Sequence, residues 1–186
     1  MTRSIVFAAV FAAVSLPAAG ALSQGAAPRQ GSVQADPKPA ALAKQDREFI
    51  DGAAQGGLFE VKAGQLAQQK AQADDVKQLG KRMVDDHTAV NGRLQQLVQQ
   101  KGLSVPQQLD KKHQDKIDSL SKKTGLDFDK AYVDEMVDDQ KKDVDHFDKA
   151  AKDAKDPDVK AFASSTLPTL RDHLTAIQSL KDKLKM

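Results

Sequence analysis

The chain has 186 residues, 40% of them apolar, 29% charged and only 4% aromatic, and it contains no cysteine. A near balance of 28 basic and 26 acidic residues leaves no long-range field for nucleic acid or anionic lipid, and stacking aromatics are scarce. The lack of thiols excludes disulfide staples and thiol catalysis, while the abundance of unbranched helix formers points to an all-α domain.

At the amino end, Arg3 precedes the uncharged apolar run Ile5–Leu16, and Ala19-Gly20-Ala21 supplies the small residues that a signal peptidase requires. The run is too short to remain as a membrane anchor, and no cysteine follows for lipid attachment. Residues 1–21 are therefore expected to be a cleaved signal peptide, giving a periplasmic mature chain without a transmembrane segment. Residues 22–41 are rich in Gln, Gly and Ala with Pro28, Pro37 and Pro39, and read as a flexible linker. The folded domain is expected over residues 42–185.

Within that domain, apolar positions recur at steps of three and four. A first helix is expected over Leu42–Lys70, with Phe49, Ala53, Gly56, Glu60, Ala63 and Ala67 on one face. Its small residues predict a close neighbouring backbone at Gly56. Asp74 is a candidate cap for a second helix over Asp75–Gln100, with the stripe Val76, Gly80, Met83, His87, Val90, Leu94 and Leu97. A polar segment, Gln107–Lys123, reads as a short helix in a long crossover. Asp127 as cap, with Leu126 and Ala131 as a hydrophobic staple, opens a third long helix over Phe128–Asp153. Its stripe is Val133, Val137, Gln140, Val144, Phe147 and Ala151. Asp156-Pro157 starts a fourth over Pro157–Leu184, with Phe162, Thr166, Leu170, His173 and Ile177 on one face and an expected bend at Pro168. The echo of Asp75-Val76-Lys77 in Asp158-Val159-Lys160 suggests a duplicated helix pair. The expected architecture is a ferritin-like four-helix bundle, two helical hairpins joined by one long crossover with a short extra helix.

Several short patterns support that reading. Asp46-x-x-Phe49, Gly57-Leu58-x-Glu60, Met83-Val84-x-Asp86-His87, Tyr132-x-x-x-Met136-Val137 and Leu167-Pro168-x-Leu170-x-x-His173 resemble a family of exported bacterial proteins, number 4142 of the domains of unknown function. The resemblance spans about Leu42 to Leu180 and implies an envelope setting and a ferritin-like bundle, but no established activity. In the third long helix it implies a histidine where this chain has Gln140.

Each long helix carries one polar residue on its core stripe: Glu60, His87, Gln140 and His173. Such a layer is read first as a satisfied hydrogen-bond network in a non-enzymatic protein of structural, interaction or stress-protective role, with a protein partner. The alternative is a single-metal site in which Glu60, His87 and His173 hold zinc or iron and Gln140 completes the layer. A dinuclear oxidase is disfavoured, because Val84 and Leu170 stand where bridging glutamates would be needed. His113 and His146 are expected to be solvated. Asp138, Asp139, Asp143 and Asp145, interleaved with Lys141, Lys142 and Lys149, read as a salt-laced surface. No phosphate loop or serine-nucleophile motif is present.

Overall fold

Helical periodicity governs the whole domain. The computed structural model describes residues 42–184, so the expected signal peptide and linker lie outside the described residues. Five helices follow in order: α1 Lys44–Lys70, α2 Asp74–Gln100, α3 Lys111–Ser121, α4 Gly125–Asp153 and α5 Pro157–Leu184. The described residues contain no strand. α1 pairs with α2 and α4 with α5 as antiparallel hairpins, and contacts of α1 with α4 and of α2 with α5 close the bundle. The short α3 lies across α1 and α4. No helix among the described residues is long and apolar enough to cross a membrane.

The core is split in two. One apolar half gathers Phe49, Ile50, Leu94, Val98, Phe147, Phe162 and Leu170. The other gathers Phe59, Val76, Met83, Phe128, Tyr132, Met136 and Ile177. Along α2, α4 and α5 the polar residue of the stripe separates the two halves, and along α1 the change falls just before Glu60. Each large apolar side chain fully buried in these halves contributes about 1.5–3 kcal/mol, so the halves hold the bundle while the layer between them is free to be polar.

Close approach of α1 and α2 depends on two glycines. A Cβ at Gly64 would lie 2.6 Å from the Gly80 carbonyl oxygen, and one at Gly80 would lie 2.8 Å from that of Gly64. Gly56, in contrast, faces no backbone: its missing Cβ leaves room for the Asp143 carboxylate, 3.1 Å from where the Cβ would be.

The connections are secured from across the bundle, and here two expected caps are corrected. Neither Asp74 nor Asp127 is an N-cap; those positions are Ala73 and Thr124, without side-chain caps. Asp129 of α4 instead accepts the Gln72 and Ala73 N–H groups at 2.9 and 2.8 Å, satisfying the α1–α2 connection. Asp46 of α1 does the same for Lys155 and Asp156 in the α4–α5 connection. One constant sequence offset relates Asp46 to Asp129, Gln72-Ala73 to Lys155-Asp156 and Val76 to Val159, so the hairpins cap each other reciprocally at matching positions. Asp156 caps α5 as expected, accepting from Asp158 and Val159. Leu126 is 52% exposed and forms no staple, because α4 begins earlier, at Gly125, whose φ of 57° turns the chain into the helix. α5 runs through Pro168, which sits with the crowded Ser164 on the solvent side.

Candidate functional site

Glu60, His87, Gln140 and His173 meet between the two apolar halves, and none is more than 2% exposed. The Gln140 Nε2 group donates to Glu60 Oε1 at 2.6 Å, and lies 3.2 Å from His87 Nε2 and 3.5 Å from His173 Nδ1. An amide nitrogen carries two hydrogens, yet three polar side-chain atoms surround this one. On the other side of the amide, Gln140 Oε1 is buried without a partner.

Hydrogen bonding assigns one of the two imidazoles. His173 Nε2 lies 2.7 Å from Asp86 Oδ2, and a carboxylate only accepts, so Nε2 carries the proton and the Nδ1 lone pair faces inward. Asp86 reaches the surface, where Arg82 holds it. His87 points Nε2 at the same amide and brings Nδ1 within 2.7 Å of Glu60 Oε2, out of line for a hydrogen bond. Burial pulls the His87 pKa down to about 4. Burial also lowers that of His173, against the opposing pull of Asp86. Both rings are neutral at neutral pH, the state in which imidazole ligates a metal.

Asp139 and Asp143 enlarge the site and overturn the reading of them as surface groups. Asp139 is 5% exposed, Asp143 is half-buried, and both carboxylates come within 4.8 Å of Glu60's. Their side of α4 is covered by α1, through the gap at Gly56, and by α3, which brings Lys116 to 3.0 Å from Asp139 and 2.6 Å from Glu135. Asp138 and Asp145 remain exposed, as expected. Burial, and then the Asp139 charge, push the Glu60 pKa well up. Burial, and then the Glu60 charge, do the same to Asp143, which lies within hydrogen-bonding reach of Glu60. The same offset between hairpins relates Glu60 to Asp143, whose carboxyls lie within reach of each other. The signal available in sequence was the one-turn spacing of Asp139 and Asp143 beside Gln140. It was hidden because their cover comes from a crossover helix and a missing Cβ.

Two further histidines depart from expectation. His113 is half-buried, with its ring 5.5 Å from Phe59 and Nδ1 2.8 Å from Asp110. His146 is half-buried over Gly52, 5.0 Å from the Phe49 ring, and burial lowers its pKa. Aromatic neighbours on α1, distant in sequence, shield both in part from solvent.

Buried atoms without hydrogen-bond partners converge here: Glu60 Oε2, Asp139 Oδ2, Gln140 Oε1 and the hydroxyl of Tyr132, whose pKa burial and the Glu60 charge both raise. Each such atom costs about 1–3 kcal/mol while unpaired. Inward lone pairs and buried carboxylates can be satisfied by a cation or by bound protons.

The solved structure described as a crystal structure of a DUF305 fragment from Deinococcus radiodurans is similar to this chain at a TM-score of 0.68. It shares 13% identity, with 76% of this chain and 98% of that chain covered, so the likeness is one of fold. No curated protein matches. The family model described as Domain of unknown function (DUF4142) matches residues 31–180, and the chain belongs to that family.

Proposed function

We propose that this protein is an exported, periplasmic bundle of the ferritin-like kind that holds one divalent cation, zinc or ferrous iron, through Glu60, His87 and His173. The observation that carries the reading is the convergence of Glu60 Oε1, His87 Nε2 and His173 Nδ1 on Gln140 Nε2, an atom with only two hydrogens to donate. His173 has the setting of a ligand imidazole, its far nitrogen fixed by a carboxylate. Two neutral imidazoles with one carboxylate suit zinc or ferrous iron. The role is binding rather than turnover, since the layer has essentially no exposed surface for a substrate larger than an ion.

The test is metal content and thermal stability of protein purified without chelators or a histidine tag. Bound metal is expected, as is a melting temperature that rises with zinc or ferrous iron. At a hundredfold excess over Kd the stabilisation is about 2.7 kcal/mol. His87→Ala and His173→Ala should abolish that response.

A second, purely structural reading is favoured by the hydrogen bonds already made, Gln140 to Glu60 and His173 to Asp86. In that case neither metal nor its removal shifts the melting temperature, and each histidine variant loses roughly 1–3 kcal/mol non-additively, because both break one network.

The export proposal is supported by the Arg3, Ile5–Leu16 and Ala19-Gly20-Ala21 pattern. Intact mass of periplasmic protein should show a chain starting at Leu22; retention of residues 1–21 in that fraction refutes it.

A further inference from the structure

We infer that α3 is a hinged lid over the polar layer, opening while the four long helices stay folded and so admitting the cation. That cargo is the one proposed above, and the lid rests on that reading for it. Of the 11 residues of α3 only Leu120 is buried, so little apolar surface holds the helix down. A helix this short is marginal by itself and persists here because it is docked. The chain enters the crossover at Gly102, with φ of 68°, and leaves it at Gly125, with φ of 57°, the two glycines of positive φ among the described residues. Glycine adopts both left- and right-handed backbone freely, so each end of the crossover is a place where the chain can swing.

What holds α3 closed is mostly polar. Gln55 on α1 grips the loop before it, donating Nε2 to the Gln108 carbonyl at 3.0 Å and accepting the Asp110 N–H at 2.8 Å. At the far end Lys70 donates to the Ser121 carbonyl at 2.5 Å. Between these ties Lys116 is the latch, reaching Glu135 at 2.6 Å and Asp139 at 3.0 Å with its ammonium 4.8 Å from the centre of the Phe59 ring. The His113 ring lies 5.5 Å from the same ring. Phe59 is fully buried and adjoins Glu60 in the chain, so α3 covers the wall of the layer itself. Polar ties of this kind are replaced by water when they break, so releasing α3 costs far less than parting the two apolar halves of the core.

The experiment is native-state hydrogen exchange in low urea, paired with stopped-flow zinc association read by a zinc-sensitive dye. The hydrogen-bonded amides of α3 are expected to exchange faster than those of α1 and α4 and with little dependence on urea, the mark of a local opening. Gln55→Ala removes both loop bonds without changing any charge at the layer, and should speed α3 exchange by about tenfold. Zinc association should rise by the same factor, because only the open population admits the ion. Lys116→Met keeps the side-chain stem, drops the latch and should speed α3 exchange at least as much. Amides of α3 that exchange with the rate and urea dependence of the long helices overturn the lid, as does α3 exchange unmoved in both variants. Zinc association that ignores Gln55→Ala also overturns it, by placing entry elsewhere, as on the side where Asp86 reaches the surface. A parent that binds no zinc refutes the cation reading instead, and α3 exchange by itself then decides the lid.

Discussion

Gly64→Ala tests whether the α1–α2 approach that brings Glu60 to His87 depends on absent side chains. The new Cβ would sit 2.6 Å from the Gly80 carbonyl oxygen, 3.0 Å from Val84 Cγ2 and 3.4 Å from Met83 Cβ. The first of these is backbone, so relief requires the helices to part rather than a rotamer to turn. Overpacking of this kind costs about 1–3 kcal/mol, and roughly 1 kcal/mol of helix propensity offsets part of it. A net loss of ~1–2 kcal/mol lowers the melting temperature by about 2–8 °C in a chain of this size. Gly92→Ala is the control, because nothing lies within 4 Å of its Cβ position and only the propensity gain remains. It should raise the melting temperature by about 1–4 °C. Thermal denaturation followed by circular dichroism reads both variants. If Gly64→Ala melts at or above the parent, as Gly92→Ala should, then the α1–α2 contact yields without cost and the reasoning fails.

Asp129→Ala and Asp46→Ala should each lose roughly 1–3 kcal/mol in urea unfolding, because each strands two backbone N–H groups. Their losses should add, since they secure connections at opposite ends of the bundle; strong coupling between them would contradict reciprocal capping. Stability of the chelator-treated protein should also vary with pH. The folded-state values of Glu60 and Asp143 are raised, so above about pH 4.5 the folded chain keeps protons that the unfolded chain releases, and stability falls as pH rises. His87 and His173 act oppositely: their folded values lie below 6.5, at about 4 for His87, so their contribution falls as pH drops from 6.5. Between about pH 4.5 and 6.5 the carboxyl contribution therefore falls, and the imidazole contribution rises, as pH climbs. Asp143→Asn should remove part of the carboxyl contribution, so that its melting temperature falls less, or rises more, with increasing pH than the parent's. An unchanged slope in that variant would show that the two carboxyls do not share their protons.

Periodicity alone determined the helices and the layer. Steps of three and four can be satisfied only by helices with one buried face, and a polar residue on that face must enter the core wherever the partner helices lie. Glu60, His87, Gln140 and His173 were legible for that reason. What lies beside a stripe is not periodic. Asp139 and Asp143 carry the polarity of a surface, and only the path of α3 and the absent Cβ of Gly56 turn them inward. Asp46 and Asp129 carry no local sign of capping, because the N–H groups they satisfy belong to the opposite hairpin. Contacts between residues far apart in the chain depend on where rigid helices come to rest, and that is decided by packing in three dimensions.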